Sequence, residues 1–423
     1  MNKQINFNML SKQSLLLFII FLGCNYTSIG QGINNGSNEY IPTIVPINPT
    51  AANLSEFGKS PVDLYTGRVS IKIPIYNINK DWINLPIYLS YNSGGMKVED
   101  IASWVGMGWS LNFGGNISRQ VRGKVDIIDS GYAVNLQRKV YQFITDPHQL
   151  DSFFFTNENP YLDMIMNGME DPEMDFYFIN MNGFSGKMFY DTSGHIVSIP
   201  NTKMKIQYTN IVTNGGWKIT TTDGTQYYFL AQEYSQSTNF PVQPSAPVTL
   251  ALNNWYISKI VNAQNTDSII FDYESAGYSY KGLGTEIQYS QGLCGPCLLQ
   301  APQNVITTTQ TGFTTKRLTK ITSNGLEIDF TKKATERCDL VGDFALDKIQ
   351  IKDWKNYVFN TYQLYQSYRV GNHIETTCSS IASENKRLFL GAFQMFALSG
   401  AFTEISFSEM NNFTPLLVHI RYS

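Results

Sequence analysis

The residues best suited to chemistry in this chain are its thiols. Cys294-Gly295-Pro296-Cys297 holds two of them around a Gly-Pro pair, the spacing of a thiol–disulfide exchange site. Such a site needs a depressed thiol pKa, supplied by a strand before the motif and a helix after it. Here Gln288-Tyr289-Ser290-Gln291-Gly292 precedes the motif, and Leu298-Leu299-Gln300-Ala301 runs straight into Pro302. Proline stops a helix, so the redox context is missing and structural bridges are the favoured reading. Cys338 and Cys378 bring the count beyond Cys24 to four. In an exported chain that number fits two disulfides, in any of three connectivities. Zinc is disfavoured, because Cys338 and Cys378 are singletons without paired spacing.

The other reactive types do not converge. His148, His195, His373 and His419 are scattered, with no His-x-x-x-His or His-Glu-x-x-His spacing. The acidic group Glu170, Asp171, Glu173 and Asp175 matches no calcium loop and reads as a solvated loop. Glu99 and Asp100 are adjacent, so on a strand they point to opposite faces, which is wrong for paired acid–base work. No Gly-x-Ser-x-Gly elbow occurs, and Gly106 and Gly108 lack the Lys-Ser/Thr of a phosphate loop. The expectation is no catalytic residue, no cofactor and no metal.

One aromatic constellation remains. Ala102-Ser103-Trp104-Val105-Gly106-Met107-Gly108-Trp109-Ser110-Leu111 packs two indoles among small residues. Exposed indoles could stack on sugars. Rings surrounded by glycines, which let backbone approach backbone, fit a packed plug better. Trp104, Gly106, Gly108 and Trp109 are therefore the candidate structural plug.

The elements that position these residues are strands. Ile87, Leu89 and Tyr91 alternate with Tyr88, Ser90 and Asn92, the period of a strand with one buried face. Val69, Ile71 and Ile73 share a face before them, with Gly67 as a turn. Farther on, Phe176–Asn180, the Asn182-Gly183 turn and Gly186–Tyr190 form a hairpin, and Ser193-Gly194 turns again. Asp223-Gly224 joins Trp217–Thr222 to Gln226–Phe229. An internal repeat follows: Ile257-Ser258-Lys259-Ile260 before Phe271-Asp272-Tyr273, Leu318-Thr319-Lys320-Ile321 before Ile328-Asp329-Phe330, and Leu346-Asp347-Lys348-Ile349 before Val358-Phe359-Asn360. One hairpin cannot bury its own face, so such units must stack.

Leu89-Ser90-Tyr91, Gly94-Gly95, the Trp104–Leu111 segment and Ile117-Ser118-Arg119 together resemble the N-terminal region of bacterial RHS/YD-repeat proteins and the start of toxin-complex shell proteins. Pro61–Gly67 and Ile71-Lys72-Ile73-Pro74-Ile75 fit the same pattern. The resemblance runs from about Pro42 to about Leu390. It implies an all-β fold of antiparallel hairpins, with a sandwich-like N-terminal part leading into a partial strand-spiral sheet. In that family the region precedes a hollow shell of hairpin repeats around a variable C-terminal toxin. The repeats here read as degenerate relatives of YD hairpins. No main array follows them, and residues 391–423 lose the strand-and-turn pattern, so a truncated or frame-shifted tail is expected.

Composition is consistent with this reading. The chain has 423 residues, 31 basic against 34 acidic, with 25 Tyr, 26 Phe and only 15% charged residues. That mix suits packed strands, and near-neutrality argues against nucleic acid. Lys3, Lys12 and the short apolar run Leu15–Leu22 form a signal peptide. Cleavage after Ser28-Ile29-Gly30 competes with a lipoprotein box at Leu22-Gly23-Cys24, which would lipidate Cys24; the small residues favour the former. The expected organisation is signal peptide 1–30, extended arm 31–60, N-terminal β region 61–123, variable insertion 124–174, hairpin region 175–290, Cys-containing loop 291–312, YD-like hairpins 313–390 and atypical tail 391–423. The expected function is a non-enzymatic structural protein, secreted or at the cell surface. Its partners would be the downstream part of a split RHS protein or a secretion apparatus, with outer-membrane association if Cys24 is lipidated. The alternatives are a carbohydrate- or partner-binding module and, less favoured, an oxidoreductase at Cys294 and Cys297.

Overall fold

A period-two apolar pattern dictates the first element. In the computed structural model, β1 (Val69–Lys80) and β2 (Ile83–Ser93) form an antiparallel hairpin about the turn at Asp81-Trp82. Ile83, Leu85, Ile87, Leu89 and Tyr91 of β2 are all buried. In β1 the buried set is Ile71, Ile73 and Ile75, then Ile78, because a bulge between Pro74 and Tyr76 shifts the phase by one residue. The first strand thus runs on past Tyr76, where the sequence pattern of Asp63 to Tyr76 placed its end, to Lys80. β3 (Trp109–Asn112) adds to β2 with Tyr91 opposite Trp109, completing a three-stranded sheet.

The structure describes residues 69–93, 100–122, 173–191, 194–209, 215–240, 250–288, 303–370, 373–375, 386–397, 402–409 and 416–422, all in the compact unit Glu56–Ser423. The expected signal peptide, extended arm and nearly all of the expected insertion lie outside them.

After β3 the chain crosses to a second, larger sheet. β4 (Gly115–Gln120) pairs with β5 (Phe176–Met181), which turns at Asn182-Gly183 into β6 (Phe184–Tyr190) and on to β7 (Ile196–Ile199). Gly183 and Gly194 take φ of +75° and +80°, as those tight turns require. β8 (Lys205–Thr209), which the sequence pattern did not reveal, pairs with β9 (Gly216–Thr220). β9 turns at Asp223-Gly224 into β10 (Gln226–Phe240).

The next strands follow one another as hairpins: β11 (Leu250–Val261), β12 (Ser268–Gln288), β13 (Gln303–Ser323), β14 (Leu326–Glu336), β15 (Phe344–Asp353) and β16 (Val358–Val370). Each of the three repeat units is a hairpin here: β11 with β12, β13 with β14, and β15 with β16. Neighbouring units also pair, β12 with β13 and β14 with β15. Ile257, Ile260, Leu318, Ile321, Leu346 and Ile349 are buried at matching positions. The intervening Lys320 instead reaches Glu327 at 3.0 Å. The repeat therefore encodes an apolar inner face and a charged outer one.

Two expectations are corrected. The stretch 291–312, read as a Cys-containing loop, already holds the start of β13, since the β-branched run Ile306-Thr307-Thr308-Thr309 favours strand. Strands also continue into the tail that was expected to lack them. After β17 (His373–Glu375) come β18 (Arg387–Ala397), β19 (Phe402–Glu409) and β20 (Leu416–Tyr422), antiparallel throughout β18 to β20.

The larger sheet closes on itself. β11 pairs with β12 only over Lys259–Val261, and before that β4 takes the edge with Asn116–Ser118 against Asn254–Tyr256. β12 and β13 run on together, and Thr308–Thr314 of β13 returns to pair with Tyr234–Phe240 of β10. One continuous core joins the two sheets. It links Ile71, Ile73, Ile75, Ile78, Ile83, Leu85, Ile87 and Leu89 of the small sheet with Ile328, Ile349 and Ile351 of the large one. Full burial of each such side chain is worth about 1.5–3 kcal/mol. That face, with the Tyr362 hydroxyl donating to the Ile75 carbonyl at 2.6 Å, seats the small sheet.

Candidate functional site

The Trp/Gly segment occupies the passage from β2 back to β3, and it is tied down by polar contacts to its own backbone and to the large sheet. Ser103 Oγ donates to the Trp109 carbonyl at 2.6 Å and accepts from the Val105 amide at 3.1 Å, folding the loop on itself. The loop then ties two strands of the large sheet. The Leu346 amide of β15 donates to the Trp104 carbonyl at 2.8 Å, and the Met107 amide donates to the Leu388 carbonyl of β18 at 2.7 Å. Trp109 is 2% exposed, with its ring 5.2 Å from that of Tyr91. Trp104 is half-buried against the same core.

Two glycines make this approach feasible. At Gly106, φ is +147° and a Cβ would lie 2.7 Å from the Leu390 amide nitrogen. At Gly108, φ is +74° and a Cβ would lie 2.7 Å from the Tyr91 ring. Side chains at both positions would meet strain and collision together. The structure thus places Trp104, Gly106, Gly108 and Trp109 in one packed passage.

A buried charge cluster holds the loop from the other side, and sequence reasoning missed it. Arg337, in the connection after β14, has a side chain 1% exposed. It donates to Asp339 at 2.8 and 3.0 Å, to Asp343 at 2.7 Å, and to the Ala102 and Ser103 carbonyls at 3.0 and 3.2 Å. Burial pulls the guanidinium pKa down, but Asp339 and Asp343 more than offset this, so it stands above its ordinary value. Asp339 also accepts the Leu388 amide at 3.0 Å. From Asp343 the charges alternate outward through Arg317 to Glu274 and Lys332, with Glu274 accepting at 3.0 and 2.8 Å. The local signal was one arginine between acids in Glu336-Arg337-Cys338-Asp339; nothing in its spacing names a partner some 235 positions away.

The remaining candidates are placed as follows. Cys338 is disulfide-bonded; Cys24, Cys294, Cys297 and Cys378 lie outside the described residues. His195 is an exposed turn residue, 3.7 Å from Asp191. His373 and His419 sit on the separate strands β17 and β20, and His148 lies outside the described residues. The acidic group is not one solvated loop. Asp175 is fully buried, accepts the Arg122 amide at 2.8 Å and lies 3.8 Å from Arg119, because it opens β5 beside the basic end of β4. Glu173 lies 3.6 Å from Arg122, while Glu170 and Asp171 lie outside the described residues.

A half-buried carboxyl sits where the large sheet closes. Glu233 of β10 accepts from the Tyr256 hydroxyl at 3.1 Å and from the Thr315 hydroxyl. Burial pushes its pKa up, and the hydrogen bonds from Thr315 and Tyr256 bring it only part of the way back.

No protein-family model matches the chain, and no curated protein matches it. Among solved structures, the chain is similar to the N-terminal domain of effector protein SpvB from Salmonella typhimurium strain LT2. The match has 11% identity, covers 84% of this chain and 98% of that one, and has a TM-score of 0.26. A TM-score that low carries no functional inference.

Proposed function

We propose that this chain is a non-enzymatic, exported structural protein that serves as the N-terminal shell part of an RHS/YD-repeat-type assembly. The observation that supports it most is the latch. The Trp/Gly passage spends its polar groups on the backbones of β15 and β18 and on Arg337, so it seats one sheet on another and offers no reactive group. The edge-to-edge pairing of the repeat hairpins supports it as well, since it extends one sheet from unit to unit.

On this reading the protein acts at the cell surface or in the medium, carried there by the segment 1–30. Cys24 is its point of lipid attachment if the lipoprotein box is used. Its partner is the downstream part of a split repeat protein or a secretion apparatus. Co-expression with the product of the neighbouring downstream reading frame, followed by pull-down and electron microscopy, tests this. A joint hollow particle is expected; two proteins that never associate would remove the shell reading. An insulin-reduction assay tests the rival at Cys294 and Cys297, and turnover abolished by Cys294→Ser would establish an enzyme instead.

A further inference from the structure

A cleft opens where the β2–β3 end of the small sheet faces β4, β11 and the β5–β6 turn. We propose that this cleft is a binding site for a neutral saccharide. Its volume is ≈ 450 Å³, inside the range of about 300–1,000 Å³ that holds small ligands and enough for about two sugar rings. Tyr88, Ser110, Asn116, Asn182, Asn254 and Tyr256 line it, drawn from both sheets.

The chemistry of the lining selects the ligand. None of its sixteen residues is Lys, Arg, His, Asp or Glu, and five are asparagines. Lys72 stands over the Tyr88 ring, 5.4 Å from its centroid, but the lining itself gives a phosphate, carboxylate or ammonium group no counter-charge, and a buried charge without one is costly. A hydroxyl-rich neutral ligand meets what it needs: each amide offers donors and an acceptor side by side. Tyrosine adds an apolar ring face with a polar tip, suited to the C–H face and the rim hydroxyls of a sugar.

The amides are oriented before any ligand arrives. Asn112 Nδ2 donates to Ser90 Oγ at 2.8 Å, Asn116 Nδ2 to Asn254 Oδ1 at 3.0 Å, and Asn182 Nδ2 to the Asn84 carbonyl at 2.7 Å. Fixed side chains lower the ordering cost of binding. Gly183 at the rim borders open space, with nothing within 4 Å of where a Cβ would lie. The sequence offered Trp104 and Trp109 as the less favoured alternative for sugar stacking. Trp109 is buried opposite Tyr91, and the aromatics that line the cleft are Tyr88, Phe113 and Tyr256. This proposal does not rest on the shell reading, which stands or falls by its own partner.

The test is calorimetric titration of the full chain with maltotriose, cellotriose and chitotriose, with sialyllactose and inorganic phosphate as charged probes. At least one neutral trisaccharide should bind. Tyr88→Ala and Ser110→Trp should each weaken it by roughly tenfold or more, with the melting temperature unchanged. Ser110 is exposed and lines the cleft, so its replacement by tryptophan obstructs the site without touching the core. It decides the matter if Tyr88→Ala fails to fold. No binding of any neutral trisaccharide at about 10 mM, binding of sialyllactose or phosphate alone, or full binding by Ser110→Trp would each overturn the proposal.

Discussion

Replacing Arg337 by methionine should be among the most damaging single changes available outside the apolar core. The side chain is 1% exposed and serves two carboxylates and two carbonyls. Methionine keeps much of the bulk and removes every donor. Asp343 then retains Arg317, and Asp339 retains the Leu388 amide, so neither acid is wholly abandoned. The Ala102 and Ser103 carbonyls lose the guanidinium. Breaking one side of a buried ion pair costs about 3–5 kcal/mol, and an orphaned buried acceptor about 1–3 kcal/mol. Groups in one network do not add, so a loss of about 4 kcal/mol is expected in urea unfolding. Hydrogen exchange supplies the local signature, because the Met107 and Leu346 amides that tie the loop to β18 and β15 should lose protection first. Arg337→Lys should fall between wild type and Arg337→Met, since one ammonium cannot span both acids and both carbonyls. A loss below about 1 kcal/mol, with Met107 and Leu346 still protected, would refute the latch as a determinant of how the small sheet is seated.

Three further outcomes follow. Gly106→Ala should cost roughly 1–3 kcal/mol by urea unfolding, because φ of +147° and a contact 2.7 Å from the Leu390 nitrogen leave its methyl no relief. Stability should also respond to pH at Glu233. Its folded pKa is raised above the ordinary 4.5, so its contribution is fully present below that value and lost as pH rises through the folded value. Glu233→Gln should flatten that part of a stability-against-pH curve. Glu274 acts in the opposite sense. Burial pushes its pKa up, but Lys332 and Arg317 hold it below its ordinary value. Its contribution is therefore present above that ordinary value and lost as pH falls through the lowered one.

Much of the architecture could be read from the residues because it is local. Ile83 to Tyr91 alternates without a break, and a period of two tells which face is buried. Asn182-Gly183 and Asp223-Gly224 announce tight turns because their glycines must adopt positive φ, and they do, at +75° and +87°. The repeat hairpins were legible because Lys and Ile alternate at the same positions in each. β8 escaped notice because Lys205-Ile206-Gln207-Tyr208-Thr209 has only two apolar residues to mark a face. The bulge at Ile75 was also hidden, since it shows only once the partner strand is known.

The candidate sites belong to a different level. Residues 102–109 determine by themselves that a tight, ring-packed passage forms there, because glycine and tryptophan at that spacing have few other uses. What the passage is latched to was decided by tertiary structure. Arg337 meets Ala102 across 235 positions, Thr315 reaches Glu233 across 82, and Asn116 meets Asn254 across 138. These are polar side chains, and hydrophobic periodicity marks polar positions only as the remainder of a pattern. It carries no information about which of them will meet once the sheet curls and closes. The strands are therefore a property of the sequence, while the latch and the cleft are properties of how the strands come together.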